Sequence, residues 1–120
     1  MNETPKEARA LLTAALRSGE YTQGSGKLRS VDDKFCCLGV ACELYIKAGH
    51  ELEAVKGNYG WNYGDEMGVL PATVQQWLGF KTKHGDFETA KRLTNLNDSG
   101  TTFPVIADII DSEPEGLCHD

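Results

Sequence analysis

The segment "KFCCLGVACELY", residues 34–45, places small and apolar residues around almost the whole circumference of one helix. The pattern predicts a helix over residues 35–48 that ends at Gly49, with Asp32 or Asp33 as its cap. With successive side chains about 100° apart, the main apolar face consists of Phe35, Leu38, Cys42, Tyr45 and Ile46. The opposite side consists of Cys36, Val40, Glu43 and Lys47. We therefore predict a central helix that packs on several sides.

An N-terminal helix is indicated from start to stop by residues 4–19. Thr4 and Glu7 match a capping box, Pro5 suits the first helical position, and Gly19 is a typical helix end. The helical spacing of its apolar residues predicts a buried face made of Ala8, Leu11, Leu12, Ala15 and Leu16.

Two more helices are predicted in the second half of the chain. They lie in "LPATVQQWLGF", residues 70–80, which Gly79 ends, and in "TTFPVIADIID", residues 101–111, which Thr102 caps. Their inward residues are Val74, Trp77 and Leu78 in the first helix and Phe103, Ile106, Ile109 and Ile110 in the second.

The connecting segments are rich in glycine and polar residues. Residues 20–33 predict a loop, with a short strand near residues 27–30 as an option. The stretch that follows the central helix, residues 50–69, favours a hairpin or a structured loop. A strand or a helical turn is expected near residues 87–93, before the turn "NDSG" at residues 97–100.

Taken together, these segments predict a single compact domain over residues 1–120. Its fold class is α+β but mainly α, with about four helices and a small β-hairpin or short sheet in the middle. Residues 113–120 are polar, and we expect them to form a frayed tail.

The composition excludes some classes of function. Twelve Lys and Arg against 18 Asp and Glu give a net charge of −6, which argues against general nucleic-acid binding. A small anionic ligand held by one or two arginines remains compatible with this charge. No apolar run approaches the roughly 20 residues that span a bilayer, and the N-terminus does not resemble a signal peptide. We therefore expect a cytoplasmic protein that does not insert in a membrane, with reduced thiols.

Cysteine and histidine are numerous enough to raise the question of a metal site. The possible ligands are Cys36, Cys37, Cys42, Cys118, His50, His84 and His119. No CxxC pair occurs, and the adjacent Cys36 and Cys37 would point about 100° apart on a helix, so both cannot easily face one zinc ion. We predict no metal and no cofactor.

Cys36 is the candidate nucleophile. It lies near the predicted start of the central helix, where the helix dipole favours a thiolate, and Gly39 one turn later would leave room for a substrate. Its possible partners are His50 or His84 as the base and Asn97 or Asp98 as the group that orients the base. In the alternative interpretation, which we favour, Cys36 packs beneath the glycine-rich loop as a small apolar residue.

The aromatic and glycine-rich stretch at residues 57–64 is the best candidate for a binding surface. Its aromatic residues are Tyr59, Trp61 and Tyr63, whose ring faces can stack on a base or pack on a partner. Arg29, together with Lys27 and the backbone amides of "QGSG" at residues 23–26, can hold a phosphate. The alternative is that these aromatic residues cover the core.

The turn "NDSGTT", residues 97–102, adds Asn97 and Asp98 to the predicted ligand-binding residues. Such a turn can line a polar site. It can equally be structural, with an Asx side chain capping the turn, Gly100 at positive φ and a threonine starting the next helix.

Several motifs in this order resemble a family of small proteins from bacteriophages, prophages and actinobacteria. They are "RSGEYTQGSGKLR", "FCCLGVACELY", an "LP…V…WLGF" segment and "LNDSGTTFPVIADII", and they extend from Arg17 to about Ile110. The chain keeps the "CCLGV" helix and the "NDxG" turn of that family and departs from it in a longer "GNYGWNYG" insert. The resemblance implies an accessory protein of a mobile element.

Three functions follow as hypotheses. The first is a phage-type accessory protein that acts by binding, in counter-defence, by sequestering a small nucleotide-like signal. The second is a cysteine-dependent hydrolase or transferase that uses Cys36. The third is an inhibitor that binds a host defence protein through an acidic surface. We favour binding over catalysis.

Overall fold

The computed structural model describes residues 3–119 of the chain. Within these residues the chain forms five helices and two antiparallel strand pairs. In chain order these are α1 (Pro5–Ser18), α2 (Cys37–Lys47), β1 (Ala54–Lys56), β2 (Trp61–Tyr63), α3 (Ala72–Leu78), β3 (Asp86–Phe87), β4 (Lys91–Arg92), α4 (Leu93–Asp98) and α5 (Phe103–Asp111). The predicted compact, mainly helical α+β domain is confirmed.

The capping signals of α1 are confirmed. The Thr4 hydroxyl accepts from the Glu7 N–H at 3.1 Å, the Glu7 carboxylate accepts from the Thr4 N–H at 2.9 Å, and Gly19 ends the helix at φ 81°. This helix packs most extensively on α5 and also contacts α2 and α3. One predicted core residue was wrong: Leu11 is 45% exposed, because the buried face of α1 turns toward Arg9 and Thr13 instead.

The central helix α2 begins two residues later than predicted, with Cys36 as its N-cap residue. Residues 37–42 are all buried, so the expected packing on several sides is confirmed for the first half of the helix. Cys36 and Val40, which lie opposite the main apolar face, are buried as well, at 3% and 0% exposed, and the burial of Cys36 agrees with the packed interpretation that we favoured. The segment around Leu28 crosses the helix near its start, at Cys36 and Gly39.

Gly39 makes this crossing possible. A Cβ atom at this position would overlap the carbonyl oxygen of Leu28. The space at Gly39 that we expected to admit a substrate is therefore filled by the protein's own backbone. The Leu28 carbonyl also accepts a hydrogen bond from the Cys36 N–H at 3.2 Å.

The loop before α2 differs from the prediction in two details. Asp32 and Asp33 do not cap α2; Asp33 has φ 62° and lies in a turn before the helix. The optional strand near residues 27–30 is reduced to an isolated antiparallel bridge between Arg29 and Phe35. Both carboxylates are engaged within the loop instead, Asp33 with Arg29 and Asp32 with Lys34.

Both short strand pairs are antiparallel hairpins. The predicted hairpin in residues 50–69 is confirmed, with Ala54 opposite Tyr63 and Lys56 opposite Trp61. The ambiguous segment near residues 87–93 forms β3, β4 and the start of α4, so it contains strands and a helix in succession.

Helices α3 and α5 agree with the sequence in their inward residues, except that Ile109 is only partly buried. Gly79 ends α3 at φ 72°. Thr102 is the N-cap residue of α5, but its side chain forms no cap hydrogen bond. The Phe103 N–H instead donates to the side-chain oxygen of Gln23 at 3.1 Å.

The predicted frayed tail is wrong for residues 113–119, and Asp120 lies outside the described residues. Leu117 is 0% exposed, and its carbonyl accepts from the Lys81 N–H at 2.9 Å. Arg9, only 4% exposed, donates to the Leu78 carbonyl at 2.7 Å and forms an ion pair with Glu113 at 3.1 Å. The polar composition of this segment suggested fraying, but the segment is fixed by the buried Leu117 and by the ion pair of Glu113 with α1.

Candidate functional site

Asn97, near the end of α4, connects the glycine-rich loop to the start of α2. Its side-chain oxygen accepts from the Cys37 N–H at 3.2 Å and from the Gln23 amide at 3.0 Å. Its amide nitrogen donates to the Gly24 carbonyl at 2.7 Å. Asn97 is 2% exposed, and its amide already makes three of the four hydrogen bonds available to it. The structure therefore gives Asn97 a structural role, and the side chain has little capacity left for a ligand.

Gln23 and Asp98 strengthen the same connection. The Gln23 amide also donates to the Thr101 carbonyl at 2.7 Å, so one side chain joins the loop to the turn before α5. The Asp98 carboxylate accepts from the Gly26 N–H at 2.8 Å. These bonds place the "QGSG" and "NDSGTT" segments side by side, as a single site would require.

An open, shallow space of about 510 Å³ lies where these segments meet. We call it the polar depression; its side chains include Ser25, Ser30, Asp32, Lys34, Asn97 and Asp98. The Lys34 ammonium lies 3.7 Å from the Asp32 carboxylate, and Ser30 donates to that carboxylate as well. With two carboxylates and one ammonium, the polar depression is not suited to a phosphate group.

Arg29 lies between two aromatic rings, away from the polar depression. Its guanidinium carbon is 4.0 Å from the centre of the Trp61 ring and 5.1 Å from that of Phe35. It forms ion pairs with Asp33 at 2.9 Å and with Glu43 at 3.5 Å, and its side chain is 19% exposed. Arg29 thus stabilises the hairpin against the loop by cation–π contacts, and its charge is already balanced by two carboxylates.

The three predicted stacking residues have different environments. Tyr63 is 0% exposed and donates to the Glu43 carboxylate at 2.7 Å; burial and then this carboxylate raise the pKa of the phenol well above its usual value. Trp61 is partly buried under Arg29. Tyr59, at the tip of the hairpin, is 74% exposed. The expectation of three open ring faces is therefore corrected: Tyr59 is the member of this set that has one.

Cys36 does not have the environment of a nucleophile. Burial raises the pKa of its thiol to about 11, and the backbone N–H groups of Gly39 and Leu38 oppose only part of that rise. Burial likewise raises the pKa of Cys37 and Cys42. The helix dipole favours the thiolate, but the low-dielectric surroundings outweigh it. The interpretation of Cys36 as a packed residue agrees with this geometry.

The proposed partners of Cys36 are engaged elsewhere. The His50 ring stacks on Tyr45 with 4.6 Å between centroids, and its Nε2 lies 3.0 Å from the Glu3 carboxylate. The same carboxylate accepts from the Trp77 indole at 2.7 Å. Within residues 3–119, neither His50 nor His84 forms a hydrogen bond with the Cys36 thiol.

The cysteines and histidines do not converge either. In the described part of the chain, no three His, Cys, Asp or Glu side chains come together in a geometry for a metal ion. Cys36, Cys37 and Cys42 are buried thiols that form no disulfide with a described residue, and Cys118 is partly buried.

Two residues of these networks were missed by the sequence analysis. Glu43 contacts both Arg29 and Tyr63, and its signal was visible, because it is the one acidic residue in a helix that is apolar apart from it and Lys47. Gln23 had no comparable signal, since a glutamine in a glycine-rich loop does not reveal that it caps a helix 80 residues later.

The fold and the loop-to-turn contacts define a small, mainly helical α+β domain. The family model described as "Domain of unknown function (DUF8296)" matches residues 1–114, and the chain belongs to that family. No curated protein and no solved structure matches the chain. In the part of the chain that the structure describes, every helix is too short or too polar to cross a bilayer.

Proposed function

We propose that the chain acts by binding another protein, in the phage-type accessory role that the sequence resemblance implies. Its setting is counter-defence in the host cytoplasm, with a host defence protein as the partner. The observation that carries this proposal is the 74% exposure of Tyr59 at the hairpin tip. The other candidate groups, Arg29, Trp61 and Tyr63, already contact residues of the protein itself. Large exposed aromatic residues are enriched at the centres of protein interfaces.

The geometry favours a protein partner over a nucleotide-like signal. Arg29 would have to leave Asp33 and Glu43 before it could hold a phosphate, and Trp61 already stacks on that same guanidinium. The polar depression has a net negative charge, as does the chain at −6. Carboxylates would therefore repel an anionic ligand both at Arg29 and in the polar depression.

Catalysis by Cys36 is the weaker candidate for a related reason. A thiol with a pKa of about 11 is almost entirely protonated at neutral pH, whereas the thiolate is the reactive form. Cys36 is also only 3% exposed, so a substrate could not reach its thiol without a rearrangement of the residues packed around it.

Site-specific crosslinking tests the proposal. A photoreactive p-benzoylphenylalanine would replace Tyr59 in bacterial cells in which expression of the chain raises the plating efficiency of an infecting phage. We expect discrete protein adducts from this position. Leu11, which is 45% exposed on α1, provides the matched control and should give none.

Two variants complete the test. Tyr59→Ala should abolish the protection of the phage, while Cys36→Ala should preserve it in a folded protein. Calorimetric titration with linear and cyclic nucleotides should show no binding. Protection that depends on Cys36, or nucleotide binding without any protein adduct at position 59, would overturn the proposal.

A further inference from the structure

Strand β1 has one edge that no other strand covers in residues 3–119. The Gly57 N–H donates to the Gly60 carbonyl and the Gly64 N–H to the Glu53 carbonyl, both at 2.8 Å. Because hydrogen-bonded pairs alternate along an antiparallel ladder, Val55 faces β2 with its backbone groups. The N–H and C=O groups of its neighbours Ala54 and Lys56 therefore point away from β2. These four groups form no hydrogen bond with any described residue.

The outer edge of β2 is covered, in contrast. Its Trp61 N–H donates to the Arg29 carbonyl at 2.9 Å, and its Tyr63 N–H donates to the Glu66 carbonyl at 2.8 Å. A strand can therefore join this hairpin only along β1. The approach is open there, since Val55 is 49% exposed and Lys56 is exposed as well.

The charges beside β1 indicate what kind of strand would fit. A groove of about 560 Å³ lies at the open end of the hairpin, where β1 begins and β2 ends. Its acidic residues are Glu51, Glu53, Asp65 and Glu66, and its apolar residues include Leu52 and Pro71. None of the four carboxylates forms an ion pair with another described residue, and the groove contains no Lys or Arg. A basic segment with intervening apolar residues would complement both features.

We propose that the outer edge of β1 receives an extended, basic segment of the partner protein, which pairs with β1 as an added strand. The backbone groups of Ala54 and Lys56 supply its hydrogen bonds, and the acidic groove holds its Lys and Arg side chains. This inference rests on the proposed function, because it specifies the chemistry of the protein partner. Tyr59, at the end of the same hairpin, lies on the path of such a strand.

Titration with a defined peptide tests the edge directly. The probe is a ten-residue peptide of alternating Lys and Val, and the control is the same peptide with Glu in place of Lys. In ¹⁵N NMR spectra of the full chain, we expect the basic peptide to shift the amide signals of Ala54 and Lys56 and to slow their exchange with solvent. The Val55 amide, already bonded to β2, should keep its exchange rate. Binding should weaken steeply with added salt.

Two substitutions of Lys56 separate the contribution of its backbone N–H to peptide binding from that of its positive charge. Lys56→Pro removes the outward N–H, whereas Lys56→Ala removes the same positive charge and keeps the N–H. We expect Lys56→Pro to weaken binding about fivefold to tenfold, the effect of one lost hydrogen bond. Lys56→Ala should bind the basic peptide as tightly as the parent or more tightly. Thermal unfolding of both variants verifies that the hairpin is intact.

Three results would overturn the inference: no change at the Ala54 and Lys56 amides, equal binding by Lys56→Pro, or equal binding of the acidic peptide. The first would mean that β1 is a short, lysine-bearing edge that resists pairing, as many edge strands do. The second would mean that the peptide binds without the outward N–H of residue 56, and the third that the acidic groove does not select basic side chains. The proposed function is judged separately. If the peptide experiments fail while the protein adducts at position 59 persist in the parent chain, a protein partner binds elsewhere on the hairpin and only the inference about β1 fails.

Discussion

The side chain of Asn97 forms hydrogen bonds with the loop at Gln23 and Gly24 and with the first N–H of α2. In the sequence, the same residue in a polar turn indicated a ligand contact. Burial distinguishes a structural role from ligand binding here. Asn97 is 2% exposed and has three hydrogen-bond partners within the protein, so a ligand could neither reach its amide nor find more than one hydrogen bond to make with it. Replacing it would leave two backbone groups, the Cys37 N–H and the Gly24 carbonyl, without this partner.

The first prediction concerns this side chain. Asn97→Ala should lower the free energy of unfolding by about 2–4 kcal/mol, since the Cys37 N–H and the Gly24 carbonyl would lose their buried partner. Urea denaturation measures the change. Asn95→Ala is the control, because Asn95 lies on the same helix but is exposed; it should cost less than about 0.5 kcal/mol. Equal effects of the two variants would contradict a structural role for Asn97.

Helix ends set by neighbouring residues were predictable, and those set by distant ones were not. Thr4, Glu7 and Gly19 determine α1 by local capping alone, so the sequence was sufficient. The start of α2 depends on Leu28 and Asn97, which reach it from the loop and from α4. The order of the segment at residues 113–119 likewise depends on contacts with α1 and with residues 79–88 that no local pattern reveals.

A second prediction concerns that segment. Leu117→Ala should destabilise the protein by about 2–5 kcal/mol, because it removes a fully buried side chain and leaves a cavity. Leu11→Ala provides a control of the same chemistry at a 45% exposed position in α1, where alanine is also the better helix former. It should change the free energy of unfolding by less than about 1 kcal/mol. A negligible effect of Leu117→Ala would support the original prediction that this segment is frayed.

The candidate site was predictable in composition but not in arrangement. The sequence brought Arg29, Trp61 and Tyr63 into one hypothesis, and the structure brings them into one network with Glu43. Such a network can bind a ligand or stabilise the fold, depending on which charges are balanced within the protein. The sequence alone does not show which side chains are in contact, so it could not decide between the two roles. Tyr59 is the exception, because it lies in the four-residue loop, residues 57–60, that connects β1 to β2, where burial is difficult.

Across the protein as a whole, the buried thiols and one buried phenol all have raised pKa values. Burial raises the pKa of the Cys36, Cys37 and Cys42 thiols and of the Tyr63 phenol. Each group thus binds its proton more tightly in the folded chain than in the unfolded one. Stability from these groups is complete below their unfolded pKa values and is lost as pH rises toward the folded ones.

The third prediction follows for alkaline solution. With an ordinary thiol pKa of 9.0 and a folded value of about 11, Cys36 alone should lower the free energy of unfolding by about 1 kcal/mol between pH 7 and pH 10. Urea denaturation at both pH values, with a reductant present, measures the fall. Cys36→Ala should show a smaller fall than the parent protein. An identical pH dependence in the two proteins would mean that the Cys36 thiol ionises normally.

The pairing of α1 with α5 and of Arg9 with Glu113 also has a consequence for biosynthesis. A ribosome adds roughly 5–20 residues per second, so α1 is made several seconds before the helix it packs against most. During that interval the apolar face of α1, with Leu12 and Leu16, has no native partner from α5. Folding must therefore wait until the chain has been translated through α5. Until then the exposed apolar face of α1 is the kind of surface that chaperones bind, and the capping box favours the helix but leaves it only marginally stable without its tertiary contacts.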